Sequence, residues 1–246
     1  MRPLRPLQRE DRPMTVHHQA HTAIDLLALD HVALSVVDPD ALTAFLCDHL
    51  GLRELERRAD GTVVGADDRG TTLRLIAADG PREPGALGRL VFRVADLRAA
   101  AASLPPDAEV QGDGFETLDF TGPEGLRLGF TFVAGGGIDH DLDHVALRVF
   151  DAEETRVALA EVGCVPRGEM LHVADKGVRL EERPAASDRP LLDHIAVRVA
   201  SLDAIAEQAR QRGLEIHDGA GDDAFAIVLP GPERIRLHFV EQPPVH

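Results

Sequence analysis

Tryptophan and tyrosine are absent from the 246 residues, and Lys176 is the single lysine. No phenol is therefore available as acid, base or ligand, and aromatic stacking falls to nine phenylalanines. The two cysteines, Cys47 and Cys164, are far apart and in no metal-like spacing, which excludes a disulfide scaffold and a cysteine zinc site. No window approaches the roughly 18 to 20 consecutive apolar residues of a membrane-spanning helix. Positive charge is scarce as well: 26 basic against 42 acidic residues give a net charge of −16. Such a chain repels phosphate backbones, so nucleic acid is excluded as a partner. The early arginines precede no apolar signal segment, so a soluble cytoplasmic protein is expected.

The 44% of apolar residues suffice for one large core or two ordinary ones. Residues 1–24 carry several prolines and scattered charge without periodicity, and read as a disordered tail. Met14 is an alternative start, and His17, His18 and His21 lie on a segment too mobile to fix ligand geometry.

Beyond the tail the chain repeats itself. Leu29-Asp-His-Val-Ala-Leu-Ser-Val36, Leu87-Gly-Arg-Leu-Val-Phe-Arg-Val94, Leu142-Asp-His-Val-Ala-Leu-Arg-Val149 and Leu192-Asp-His-Ile-Ala-Val-Arg-Val199 are four versions of one strand. Their third positions, His31, Arg89, His144 and His194, are 58, 55 and 50 residues apart, the period of tandem supersecondary units. After each strand a helix is expected, over 38–50, 97–104, 152–162 and 202–212. Asp38, Asp96, Asp151 and Ser201 read as N-caps, and Gly51, Gly163 and Gly213 as stops. Short β-like runs joined by turns such as Asp175-Lys-Gly177 follow each helix. The closing strands Phe120-Thr-Gly-Pro-Glu-Gly-Leu-Arg-Leu-Gly-Phe130 and Leu229-Pro-Gly-Pro-Glu-Arg-Ile-Arg-Leu-His-Phe239 also align. The expected class is α+β, with four βαβββ modules paired into two cupped mixed sheets. The Gly-rich stretch 134–140 divides them into an N-terminal pair, 25–134, and a C-terminal pair, 135–246.

Alternation across a strand sorts side chains by face. Val145, Leu147 and Val149 share one face and His144, Ala146 and Arg148 the other; Ile195, Val197 and Val199 likewise oppose His194, Ala196 and Arg198. The aliphatic faces must pack under helices, which turns the His/Ala/Arg faces toward a cavity. In the closing strands Arg179 and Glu181, then Arg234, Arg236 and His238, share cavity-facing positions. Arg148, Arg179, Arg198 and Arg236 are therefore candidates to clamp an anionic substrate.

The Leu-Asp-His-Val-Ala-Leu strands and the strands after Gly-Pro-Glu turns resemble the vicinal oxygen chelate superfamily, which includes glyoxalases, epimerases, extradiol dioxygenases and antibiotic-resistance proteins. The resemblance covers residues 27–241 and implies metal ligands on the first and last strands of each module. Those slots fall on His144, Glu181, His194 and His238 in the C-terminal pair, and on His31, Arg74, Arg89 and Gly129 in the N-terminal pair. The implication is a metal site in the C-terminal half beside a degenerate N-terminal half, with His31 structural. The last strand of the family usually supplies a glutamate, where this chain has His238. The set is then three His plus Glu181, or three ligands with one bystander.

A divalent metal is implied, Fe(II) first, with Mn, Ni, Co or Zn as alternatives. The leading function is an extradiol-type dioxygenase acting on a small oxyanion-bearing substrate, with His172 moving protons. A lyase or isomerase of the glyoxalase or epimerase kind, with Glu181 as base, is the second reading. A metal-free binding protein of the antibiotic-resistance kind is the third. Internal pairing completes the site within one chain, so a monomer or a homodimer is expected.

Overall fold

The computed structural model describes residues 24–112, 116–135, 139–183, 186–219 and 225–242. The tail expected over 1–24, with Met14, His17, His18 and His21, lies outside them except for Ile24, which is buried in the core.

The first module runs β1 (Leu26–Val36), α1 (Pro39–Leu50), β2 (Arg53–Arg58), β3 (Gly61–Gly65) and β4 (Thr72–Ala77). The second comprises β5 (Leu87–Val94), α2 (Leu97–Ala102), β6 (Thr117–Thr121) and β7 (Arg127–Phe132). The third is β8 (Leu142–Val149), α3 (Ala152–Glu161), β9 (Val165–Arg167), β10 (Met170–Val173) and β11 (Lys176–Glu182). The fourth is β12 (Leu192–Val199), α4 (Leu202–Gln211), β13 (Ile216–Asp218), β14 (Phe225–Val228) and β15 (Arg236–Glu241). Among the described residues the second module departs from the βαβββ pattern, its first closing strand being reduced to a bridge between Gln111 and Asp119.

The helices start where the caps require. The side chains of Asp38, Asp96, Asp151 and Ser201 each accept from backbone N–H groups of the first turn. Helix α1 stops at Gly51, whose left-handed φ of 70° no β-carbon would favour, and a β-carbon there would press on the His140 ring at 3.0 Å. Leu42, Leu46 and Leu50 turn inward from α1, and Val145, Leu147 and Val149 are fully buried in β8, as alternation required.

Two sheets result, one of eight strands in the order β13-β14-β15-β12-β1-β4-β3-β2 and one of seven in the order β6-β7-β5-β8-β11-β10-β9. Each is a pair of modules, but the partners differ from the sequence expectation. Module one joins module four through antiparallel β1 and β12, and module two joins module three through β5 and β8. A division into pairs 25–134 and 135–246 therefore does not describe the sheets. The reason lies in the connections: the segments leaving the first and third modules run side by side, with Glu83 N–H donating to Arg189 O (2.9 Å) and Leu191 N–H to Glu83 O (2.6 Å). The chain changes sheet between β4 and β5 and between β11 and β12, whereas β7 and β8 lie in the same sheet.

One buried ion pair ties the sheets together. Lys176 Nζ donates to Asp141 Oδ2 at 2.6 Å, with the side chains only 7% and 3% exposed. Asp141 Oδ1 accepts from Thr71 N–H at 3.0 Å, reaching from the third module into the first. Removing one partner of such a pair strands a charge away from water. Lys176→Met is expected to cost about 3–5 kcal/mol in urea denaturation. Adding Asp141→Asn, which keeps the Thr71 acceptor, should recover part of the loss; equal stability of single and double variants would assign the cost to packing instead.

Candidate functional site

The concave face of the eight-stranded sheet is built from two rows. Across β1, β12 and β15, His31 lies opposite Ala196, and Ala196 opposite His238. Across β12, β1 and β4, His194 lies opposite Ala33, and Ala33 opposite Arg74. The rows are related by a local two-fold between β1 and β12, so Arg74 occupies in the first module the place of His238 in the fourth. Alanine at the centre of each row leaves the floor open. His31, His194 and His238 are 8%, 1% and 3% exposed.

Backbone pairing thus brings His31, expected to be structural, against His194. Their Nε2 atoms are 2.9 Å apart, and the rings meet edge to face. The His238 ring stacks on His194 with centroids 3.8 Å apart.

Two carboxylates orient the first two rings. Asp30 Oδ2 accepts from His31 Nδ1 and Asp193 Oδ1 from His194 Nδ1, both at 2.7 Å. The Asp30 carboxylate also accepts from Arg198 Nε, and Asp193 accepts from Ser35 Oγ at 3.4 Å. Arg198 and Ser35 occupy equivalent positions in the fourth and first modules, so each module's aspartate is held by the other module. Burial raises the Asp30 carboxyl, but His31 and Arg198 outweigh it and hold the group below the usual carboxylate range. The His194 hydrogen bond does the same for Asp193 against its burial.

Ionised carboxylates only accept, so both Nδ1 atoms carry protons and both neutral rings present lone pairs at Nε2. Two lone pairs 2.9 Å apart repel unless a proton or a metal cation lies between them. A proton is disfavoured at His194: burial lowers its pKa and outweighs the Asp193 hydrogen bond, which raises it. In donor chemistry the set fits a divalent ion, three imidazoles with carboxylates behind two of them. In ring orientation it is not converged, because His194 and His238 stack. Among the described residues no group of three or more His, Cys, Asp or Glu side chains is already arranged around one metal position.

The other residues expected at the site are elsewhere. His144 lies on β8 in the seven-stranded sheet, its Nδ1 donating to Asp143 at 2.9 Å and its buried Nε2 without a hydrogen bond. In that sheet Ala146 lies opposite Arg179, as Ala33 lies opposite Arg74, so the slot assigned to Glu181 belongs to Arg179, two residues earlier. Glu181 lies opposite Arg148 instead. The third module lacks the Gly-Pro-Glu turn that aligns the closing strands of the second and fourth. The second cup therefore offers Arg89, Gly129, His144 and Arg179, and Arg89 is ion-paired with Asp119. One imidazole among two guanidiniums does not hold a divalent ion.

His172 lies opposite Gly177 on β10, in the same second cup and away from His194 and His238. Gly177 leaves room there, since a β-carbon would come within 2.9 Å of His144 Cβ and 3.0 Å of Met170 Sδ. Of the four candidate arginines, Arg198 is committed to Asp30, and Arg148 Nη2 donates to Leu87 O at 2.8 Å. Arg179 is exposed on the second cup. Arg236 lines a cavity of about 530 Å³ with Ser35, Arg82 and Asp193 at one end of the first cup. A cavity of about 160 Å³ beside His31 is lined by Asp30, Glu56, Arg58, Val63, Thr72, Arg74 and Val240. The sequence reading missed Arg74 and His31 as site residues. Their equivalence to His238 and His194 was visible in the repeat, but the partner module was not.

Residues 28–130 match the model of the Glyoxalase/Bleomycin resistance protein/Dioxygenase superfamily. No curated protein matches. Among solved structures, glyoxalase I from Zea mays is 16% identical, with a TM-score of 0.68 over 87% of this chain and 92% of that one. A candidate dioxygenase from Bacillus subtilis is 17% identical, with a TM-score of 0.69 over 90% and 87%. The cppA protein of Streptococcus pneumoniae is 12% identical, with a TM-score of 0.59 over 89% and 100%. At these identities the likeness is one of fold. No helix among the described residues is long and apolar enough to cross a membrane.

The site carries a pH signature. The folded state takes up the His194 proton at lower pH than the unfolded chain, so acidification below about 6.5 favours unfolding. The depressed Asp30 and Asp193 add losses of the same sign only below about pH 4. The urea midpoint of metal-free protein is expected to fall between pH 7.5 and 5.5, and to fall less in His194→Gln. Equal slopes in the two proteins would remove His194 as the cause.

Proposed function

We propose, from the match of residues 28–130 to the glyoxalase/bleomycin resistance protein/dioxygenase superfamily model, that this chain is a metal-dependent enzyme whose ion is held by His31, His194 and His238 and receives two neighbouring oxygens of a small substrate. The observation that carries this reading is the 2.9 Å approach of two Nε2 atoms whose rings are both committed to carboxylates through Nδ1. Iron(II) held by the three imidazoles would supply dioxygen chemistry, whereas Mn, Ni, Co or Zn would supply Lewis acidity alone.

The chain's own groups have definite parts. Asp30 and Asp193 keep the Nδ1 protons in place, so the Nε2 lone pairs stay aimed at the cup. Ala33 and Ala196 keep the floor clear for substrate. With Glu181 and His172 in the other sheet, neither supplies the proton transfer expected of it. Extradiol-type oxygenation is the leading reading, because an all-imidazole set leaves a chelating substrate and dioxygen room together. A lyase or isomerase is the second, favoured by the Glu56 carboxylate lining the cavity beside His31, a base for a carbon-bound proton. That lining includes no phenylalanine, which disfavours an aromatic-lined binding groove.

Elemental analysis of anaerobically purified protein should find about one metal ion per chain. His31→Ala and His194→Ala should each weaken metal binding at least about tenfold, and His144→Ala should leave it unchanged. Iron, with dioxygen uptake on catecholic or enolic compounds, selects the oxygenase; another metal without uptake selects the lyase or isomerase. Loss of metal in His144→Ala with retention in His31→Ala would move the site to the other sheet.

A further inference from the structure

We propose that Arg74 is the residue that selects the substrate, binding a carboxylate carried next to the chelating oxygens. The inference rests on the metal reading above and extends it to a substrate class: small acids with a carboxylate adjacent to a second oxygen donor.

The local two-fold places Arg74 where the other half of the site has His238. The site is thus asymmetric, with imidazoles at three of its four positions and a guanidinium at the fourth. A permanent cation cannot ligate a metal, but it can pair with an anion held beside one. Arg74 stands two residues beyond Thr72, which is opposite His31, a step of roughly 6–7 Å along the strand. Both Arg74 and His31 line the 160 Å³ cavity.

Nor is Arg74 consumed by structure. Its side chain is 13% exposed, yet among the described residues it makes a single hydrogen bond, from Nη2 to Asp60 Oδ2 at 3.0 Å. Asp60 is itself 57% exposed, so the pair is a rim contact that orients the group rather than neutralising it. The remaining N–H donors of a planar fork are free for a carboxylate, the partner its geometry matches. Arg236 lines the separate 530 Å³ cavity at the end of the cup and provides the contrast.

Oxalate, two carboxylates sharing vicinal oxygens, is the probe, titrated calorimetrically into full-length protein with and without bound nickel. Wild type is expected to bind it, Arg74→Met at least about tenfold more weakly, and Arg74→Lys in between. Arg236→Met should bind as wild type. Nickel stoichiometry in every variant is measured alongside, and far-UV circular dichroism checks that each folds. Should Arg74→Met misfold, the Lys variant decides, and undiminished binding there overturns the proposal. Unchanged oxalate affinity in folded, nickel-loaded Arg74→Met overturns it while leaving the metal reading intact. Arg74-dependent binding to a protein that takes up no nickel would uphold the arginine and overturn the metal. Oxalate binding to no form of the protein overturns the proposal.

Discussion

The antiparallel pairing of β1 with β12 is the contact on which the rest of this structure depends. It joins strands more than 150 residues apart in sequence, and its register puts His31 opposite Ala196 and Ala33 opposite His194. A slip of one residue would turn one strand over relative to the other, sending one of the two imidazoles to the helix-covered face and that strand's aliphatic residues into the cup. The register is guarded from both sides. Val32, Leu34, Ile195 and Val197 are buried on the aliphatic face, and the Asp30–Arg198 and Asp193–Ser35 contacts cross the strand pair on the other. The residues that hold the two modules together are thus the residues that set the tautomers of the site histidines.

That coupling explains a polar interior that would otherwise be costly. Three buried imidazoles and their carboxylates lose hydration on folding, and only reciprocal hydrogen bonds offset the loss. The 2.9 Å approach of the His31 and His194 Nε2 atoms likewise requires a shared proton or a cation between the rings. The same economy is visible at the Lys176–Asp141 pair, where the single lysine of the chain holds the carboxylate that accepts from Thr71 N–H of the other sheet.

The two cups share a backbone plan but not a chemistry. In the seven-stranded sheet the aspartate position of the second module is Gly88 and the histidine position is Arg89, so only His144 retains a carboxylate partner. Arg89 is ion-paired with Asp119, whereas His31 lines a cavity of about 160 Å³. Duplicated modules can therefore diverge in parallel, one pair carrying three clustered imidazoles and the other a single one.

Much of this was legible in the residues. The fourfold Leu-Asp-His-like strand, the N-capping aspartates and serine, and the alternation of aliphatic with His/Ala/Arg positions determined the modules, their helices and the face on which chemistry would lie, because caps, periodicity and repeats are local. His194 and His238 follow from the same local pattern. Which module would meet which was not local. The Leu-Asp-His strands of modules one, three and four are nearly interchangeable, and only the crossing of segments 78–86 and 186–191 selects the partners. That choice brought His31 and Arg74 into the site and sent His144, His172 and Glu181 out of it. Strand register is a property of a pair of strands, so no single strand carried the answer.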